Sequence, residues 1–198
     1  MLDGTQVSQR RGMILGWIVA NSLGVVAISA LILLLPFLAS IRGVLVSSLL
    51  IGLPIGFAQW IALRRVAPIS ILWGLTISAG LLLGLWASPI LAGALWEFLD
   101  DESVLSLTAA YTIIGLCIGL AQWLFLWGHF TKSFVWPLSS TIGLGLGTGL
   151  VLVTNLIDHS GIISIILVTL VYAIVTGFVI SWLSASYGKG ESHLVNAT

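Results

Sequence analysis

The groups in this chain whose types suggest acid–base, nucleophilic or metal chemistry are few: three histidines, one cysteine, seven acidic and seven basic residues in 198. Asp158, His159 and Ser160 stand in a row with the residue types of a nucleophilic triad. Neighbours in a turn point away from one another, so the row does not converge on a reacting atom. Asp100, Asp101 and Glu102 offer carboxylates to a cation, but at a short loop tip with no further ligand they read as a solvated turn. His129 and His159 are candidate ligands for a chlorophyll or other porphyrin, each acting singly, because they do not fall at facing depths as a haem-binding pair must. Cys117 lies in an apolar run and has no second cysteine to pair with. None of the seven acidic or seven basic residues falls near the middle of an apolar segment, where an intramembrane enzyme or proton pump needs one. The chain is therefore read as not an enzyme, with no catalytic residue, metal ligand or cofactor assigned.

The polar side chains with regular spacing are neutral. "IGLPIGFAQWIAL" at 51–63 carries Gln59, and "IGLCIGLAQWLFL" at 114–126 carries Gln122. Overlaying residues 52–84 on 115–147 makes nearly half of the positions identical, among them Gly52/Gly115, Gly56/Gly119, Gln59/Gln122, Trp60/Trp123, Trp73/Trp136, Gly80/Gly143 and Gly84/Gly147. A buried amide without a partner is costly, so each glutamine must face other helices or water. Trp73 enters the next apolar segment at about the depth where Gln59 leaves the previous one, and Trp136 is placed likewise for Gln122. An indole N–H needs an acceptor, so these pairs are expected to bond between helices. Weaker versions of the pattern occur at the ends: Trp17 lies seven before Gly24, and Ser181–Trp182 stands where Gln–Trp stands elsewhere. Ser181 or Trp182 is accordingly the expected partner of Trp17.

The elements that position these residues are membrane spans. The chain is 59% hydrophobic and 7% charged, with a mean hydropathy of +1.16, which leaves too little polar surface to cover a soluble core. Zero formal net charge gives no field for nucleic acid. The lipid bilayer is the first partner implied. A helix needs roughly 20 apolar residues to cross it, and six segments qualify: 13–38, 44–63, 69–96, 104–127, 134–156 and 162–186. The interruptions fall at Ser40–Arg42, Arg64–Pro68, Phe98–Ser103, Gly128–Ser133 and Asp158–Gly161, and Ser88–Pro89 is expected to kink the third span. The first apolar run is too long for a signal-peptide core and is read as retained.

The expected fold is all-α: a polytopic membrane protein of six transmembrane helices arranged as three tandem, parallel-related hairpins at 13–63, 69–127 and 134–186, with residues 1–12 and 187–198 as terminal segments. Arg10, Arg11, Arg64, Arg65, Lys132 and Lys189 fall on one side and only Arg42 on the other, which makes both termini cytoplasmic. Gly52, Gly56 and Gln59 share one helix face, as do Gly115, Gly119 and Gln122, and such small-residue stripes let backbones approach closely. Gly12, Gly16, Ala20 and Gly24 read as a further stripe on the first span. Most of the nine tryptophans fit an interfacial belt, Trp86 excepted.

The pattern of Gly52, Gly56, Gln59 and Trp60 followed by a basic turn and by Trp73, Gly80 and Gly84 resembles small multi-pass membrane proteins of unknown function from cyanobacteria and other bacteria. The resemblance covers 52–84 and 115–147 well, and implies six spans in a prokaryotic cytoplasmic or thylakoid membrane. It brings no activity. The second copy departs from it at Trp127–Gly128, where the first has Arg64–Arg65. Two functions are weighed. One is a structural, assembly or accessory subunit packing against a larger membrane complex. The other is a small-solute transporter or binding subunit, which resembles in size and span number the substrate-binding components of energy-coupling-factor vitamin transporters. Asn21, Ser22, Thr76, Ser78, Ser139, Ser140 and Thr141 are the interior groups such a subunit would use. A wide polar cavity at their level favours transport; a dry axis favours structure.

Overall fold

A computed structural model of the chain describes residues 12–22, 24–25, 41–96, 104–154 and 162–195. The described residues are helical apart from short turns, in six helices: α1 (Gly12–Ser22), then α2 (Ile41–Leu63), α3 (Trp73–Trp96), α4 (Val104–Leu126), α5 (Val135–Val153) and α6 (Ile162–Val195). Among the described residues four stretches are long and apolar enough to cross a membrane: Trp73–Leu91, Leu105–Leu126, Val135–Val153 and Ile163–Ala185. Gly12–Ser22 and Ser48–Leu63 are shorter apolar helices. The acidic turn at Asp100–Glu102, the Asp158–Ser160 triplet with His159, and the second half of the expected first span lie outside the described residues.

Helix ends differ from expectation in two places. Arg42, expected in a loop, sits in the first turn of α2. At the other end α6 continues to Val195, through most of the segment expected as a tail, because 187–195 contains no proline to stop it. Pro54 and Pro89 lie inside α2 and α3, and both helices are continuous across them. Neighbouring helices satisfy or tolerate a missing backbone donor of this kind in lipid.

Helices consecutive in the chain are neighbours from α2 through α6. α1 completes the ring. It reaches α2 through Gly24, whose added Cβ would run into the Ile55 side chain, and α6 through Gly177, which faces the Trp17 ring. The inner faces are built as the glycine stripes require. A Cβ on Gly115 would sit 2.6 Å from Ser140 O and one on Gly119 2.6 Å from Pro137 Cα, while at Gly52 and Gly56 it would meet the backbones of Ser78 and Gly74. These helices therefore pack backbone to backbone. The stripe read on the first span is corrected: Ala20 and Gly24 are buried, but Gly12 and Gly16 are exposed with nothing within 4 Å of an added Cβ. They lie on the outward side of α1, where no described neighbour approaches, while Met13 of the same turn packs against the core.

The outer surface is apolar. Leu83, Ile90, Leu124, Leu146 and Phe178 are all exposed, as is Trp86. Exposed leucines around a ring of apolar helices fit contact with lipid rather than water.

Candidate functional site

The turns after α2 and α4 fix what enters the interior. Leu63 O accepts Val66 N (2.8 Å) and Ala67 N (3.1 Å), and Leu126 O accepts His129 N (3.0 Å) and Phe130 N (2.9 Å). Trp73 N then donates to Ser70 O at 3.0 Å and Trp136 N to Ser133 O at 2.9 Å. Two turns of one geometry thus return the chain so that the residue 14 after each glutamine is a tryptophan at the glutamine's own level. Trp73 Nε1 donates to Gln59 Oε1 (3.4 Å), and Trp136 Nε1 donates to Gln122 Oε1 (2.9 Å).

The two pairs are joined to each other. Gln122 Nε2 donates to Gln59 Oε1 at 2.8 Å, across the ring from α4 to α2. Gln59 Nε2 donates to Asn21 Oδ1 at 2.8 Å, and Asn21 Nδ2 donates to Trp17 O at 2.8 Å within α1. Tyr172 of α6 donates its hydroxyl to Gln122 Oε1 at 3.5 Å. All six helices therefore meet in one hydrogen-bonded cluster, and both glutamines, Asn21 and Tyr172 are buried. Each glutamine oxygen accepts twice, which fills its two lone pairs.

Trp17 closes the seam between the first and last helices, though not with the expected residue. Its Nε1 donates to Thr176 Oγ1 at 3.0 Å, and Thr176 Oγ1 in turn donates to Tyr172 O at 2.7 Å. Ser181 lies five residues further along α6, about 7.5 Å down the helix, and is buried one level away from Trp17's indole. Trp182 faces outward under the Lys132 ammonium, whose Nζ is 5.3 Å from the ring centroid. The "SW" dipeptide imitates "QW" in sequence but not in depth. A better marker exists, because an apolar residue four after the polar one is buried in each case: Leu63 after Gln59, Leu126 after Gln122, Ile180 after Thr176.

Apolar layers bound the cluster on both sides. The ring of Trp136 meets those of Trp17 and Trp73 edge-on, with centroids 5.6 Å and 6.2 Å apart. They pack with Leu63, Leu126, Ile180 and Leu183 in one buried cluster. Val25, Ile55, Ile77, Ile114 and Ile118 form the other. No family model, curated protein or solved structure matches this chain.

The hydroxyls weighed as solute ligands mostly turn back on their own helices. Thr76 bonds Trp73 O (2.7 Å), Ser139 bonds Trp136 O (2.8 Å) and Thr141 bonds Pro137 O (2.7 Å). Ser22 is exposed. Ser78 and Ser140 are buried with no partner for their Oγ among the described residues, as is Thr148 Oγ1. His129, the one pigment-ligand candidate within the described residues, donates Nδ1–H to Phe125 O at 3.0 Å, which caps the end of α4.

Proposed function

We propose that this chain is a non-catalytic integral membrane protein, a structural, assembly or accessory subunit that packs against a larger membrane complex. One observation carries the reading: the axis is filled by a cluster of paired amides, indoles and hydroxyls between two apolar layers. A solute pathway along that axis has to break several buried hydrogen bonds at once, each of which leaves a costly orphan. The outward faces, by contrast, are broad, apolar and available. In this reading six spans form three tandem hairpins, α1–α2, α3–α4 and α5–α6, about an axis along the membrane normal. The host is a prokaryotic cytoplasmic or thylakoid membrane.

Orientation follows from the basic residues, with both termini cytoplasmic. An impermeant reagent applied from outside should label a cysteine at Asp101 and leave tags at both termini untouched. Termini on opposite sides would mean an odd number of spans and end the hairpin scheme.

The assembly role is tested by purifying the tagged full-length protein in mild detergent. The expected result is a defined complex with a fixed ratio of this chain to its partners. A chain that comes out alone, and is stabilised against heat by one small solute, would replace the assembly role with the binding-subunit one.

A further inference from the structure

Five of the six seams in the ring are closed in one way among the described residues: a glycine on one helix stands against the backbone of the next. Gly24 meets Ile55 between α1 and α2, and Gly52 and Gly56 meet Ser78 and Gly74 between α2 and α3. Between α3 and α4 an added Cβ on Gly84 would lie 2.7 Å from Ile114 Cα, and between α4 and α5 one on Gly119 would lie 2.6 Å from Pro137 Cα. Between α5 and α6 one on Gly147 would lie 2.8 Å from Val168 O. The seam from α6 back to α1 departs from this pattern. Its glycine, Gly177, faces side chains: an added Cβ would lie 3.2 Å from Trp17 Cδ1 and 3.9 Å from Ile14 Cγ2. Seven residues before Leu63 and Leu126 stand Gly56 and Gly119, whereas seven before Ile180 stands Ala173.

This seam is the easiest of the six to part, for three physical reasons. Close backbone approach through small residues supplies much of the attraction between helices in lipid, and α6 and α1 make none among the described residues. The α2–α3 and α4–α5 seams are tied by short turns, while α1 and α6 belong to opposite ends of the chain. The hydrogen bond across the seam, Trp17 Nε1 to Thr176 Oγ1, is also given up cheaply on the α6 side. Thr176 Oγ1 keeps its own bond to Tyr172 O, so the group left without its partner is one indole N–H. α1 stays tied to α2, where Asn21 Oδ1 accepts Gln59 Nε2 at 2.8 Å.

We propose that the ring opens at the α1–α6 seam, with α1 remaining on α2 and the other five seams shut, and that this gives the buried amide cluster a lateral opening to the bilayer. The opening does not depend on the assembly role proposed above. The test uses the full-length protein with Cys117→Ala in phosphatidylcholine–phosphatidylglycerol vesicles, and N-ethylmaleimide as a small reagent that enters the bilayer and alkylates a buried thiol when the packing around it opens. One thiol is introduced at a time, by Ala173→Cys or by Ser140→Cys, both at fully buried residues. Ala173 lies one turn from Gly177 on the face toward α1. It is level with Gly119, and Gly119 faces Ser140 across the α4–α5 seam, so the two thiols share one depth. The thiol at 173 should react on the order of tenfold faster than that at 140, because a seam that opens by itself does so at a lower free energy than the whole fold. Thr176→Val removes the acceptor of Trp17 Nε1 with little change in volume. It should speed alkylation at 173 about fivefold, the factor of one ordinary net hydrogen bond, and leave position 140 unchanged. Ser181→Cys, on the same face one turn beyond Gly177 and close to serine in size, repeats the measurement without added bulk and should respond to Thr176→Val alike. Equal rates at 173 and 140, including no reaction at either, would overturn the proposal. So would an acceleration by Thr176→Val that is the same at both positions, since the chain would then be opening as a whole.

Discussion

Gly119→Leu should destabilise the protein by several kcal/mol, and even Gly119→Ala should be harmful. A single added Cβ would stand 2.6 Å from Pro137 Cα and 2.9 Å from Ser140 Cβ, and the nearer of the two is backbone that cannot rotate away. Overpacking of this kind costs about 1–3 kcal/mol or more. The opposing gain in helix propensity for Gly→Ala is at most about 1 kcal/mol, so the clash wins. Gly56→Ala should behave alike, because its Cβ meets the Gly74 carbonyl. At Gly12 and Gly16 nothing lies within 4 Å, so there the propensity gain stands alone and alanine should be neutral to slightly stabilising. Thermal or denaturant unfolding in micelles measures all four. Equal effects at Gly119 and Gly16 would mean that α4 does not pack on α5 through its glycines.

Gln122→Leu should be the most damaging substitution that changes volume little. It leaves Trp136 Nε1 and the Tyr172 hydroxyl without their acceptor and removes the donor to Gln59 Oε1. An orphaned buried group costs about 1–3 kcal/mol, whereas one interhelical hydrogen bond in a membrane protein averages only about 0.6 kcal/mol. Three partners are lost at once, so we expect about 2–4 kcal/mol from the two figures together. Trp86→Leu, also a large change but at a residue 62% exposed, should do far less. A loss at Gln122 no larger than that at Trp86 would mean that the amide is solvated.

The Gln59–Trp73 and Gln122–Trp136 pairs were legible in the sequence because a short turn ties their members together. Chain reversal over a fixed number of residues sets both depth and facing. The direct bond between Gln59 and Gln122 was not legible, since it depends on how far apart opposite helices stand across the ring, and no local spacing encodes that distance. Asn21 and Tyr172 were missed as members of the cluster for the same reason. The choice of Ser181 for Trp17 failed because no short loop joins α1 to α6, so a resemblance in letters had no geometry to check it. Glycine stripes were readable where two faces carry them, at Gly52, Gly56, Gly115 and Gly119, and misleading at Gly12 and Gly16, where small size has no neighbour to serve.

A double-mutant cycle on Gln59 and Gln122 tests the closed centre most directly. Gln59→Leu, Gln122→Leu and the double variant are compared in unfolding free energy by one method in one detergent. If the amides bond to each other, the second substitution should cost less than it does alone, because its partner group is already gone, leaving a coupling of about 1 kcal/mol or more. Strictly additive losses would contradict the account, since they would place the two glutamines in separate environments with no shared hydrogen bond.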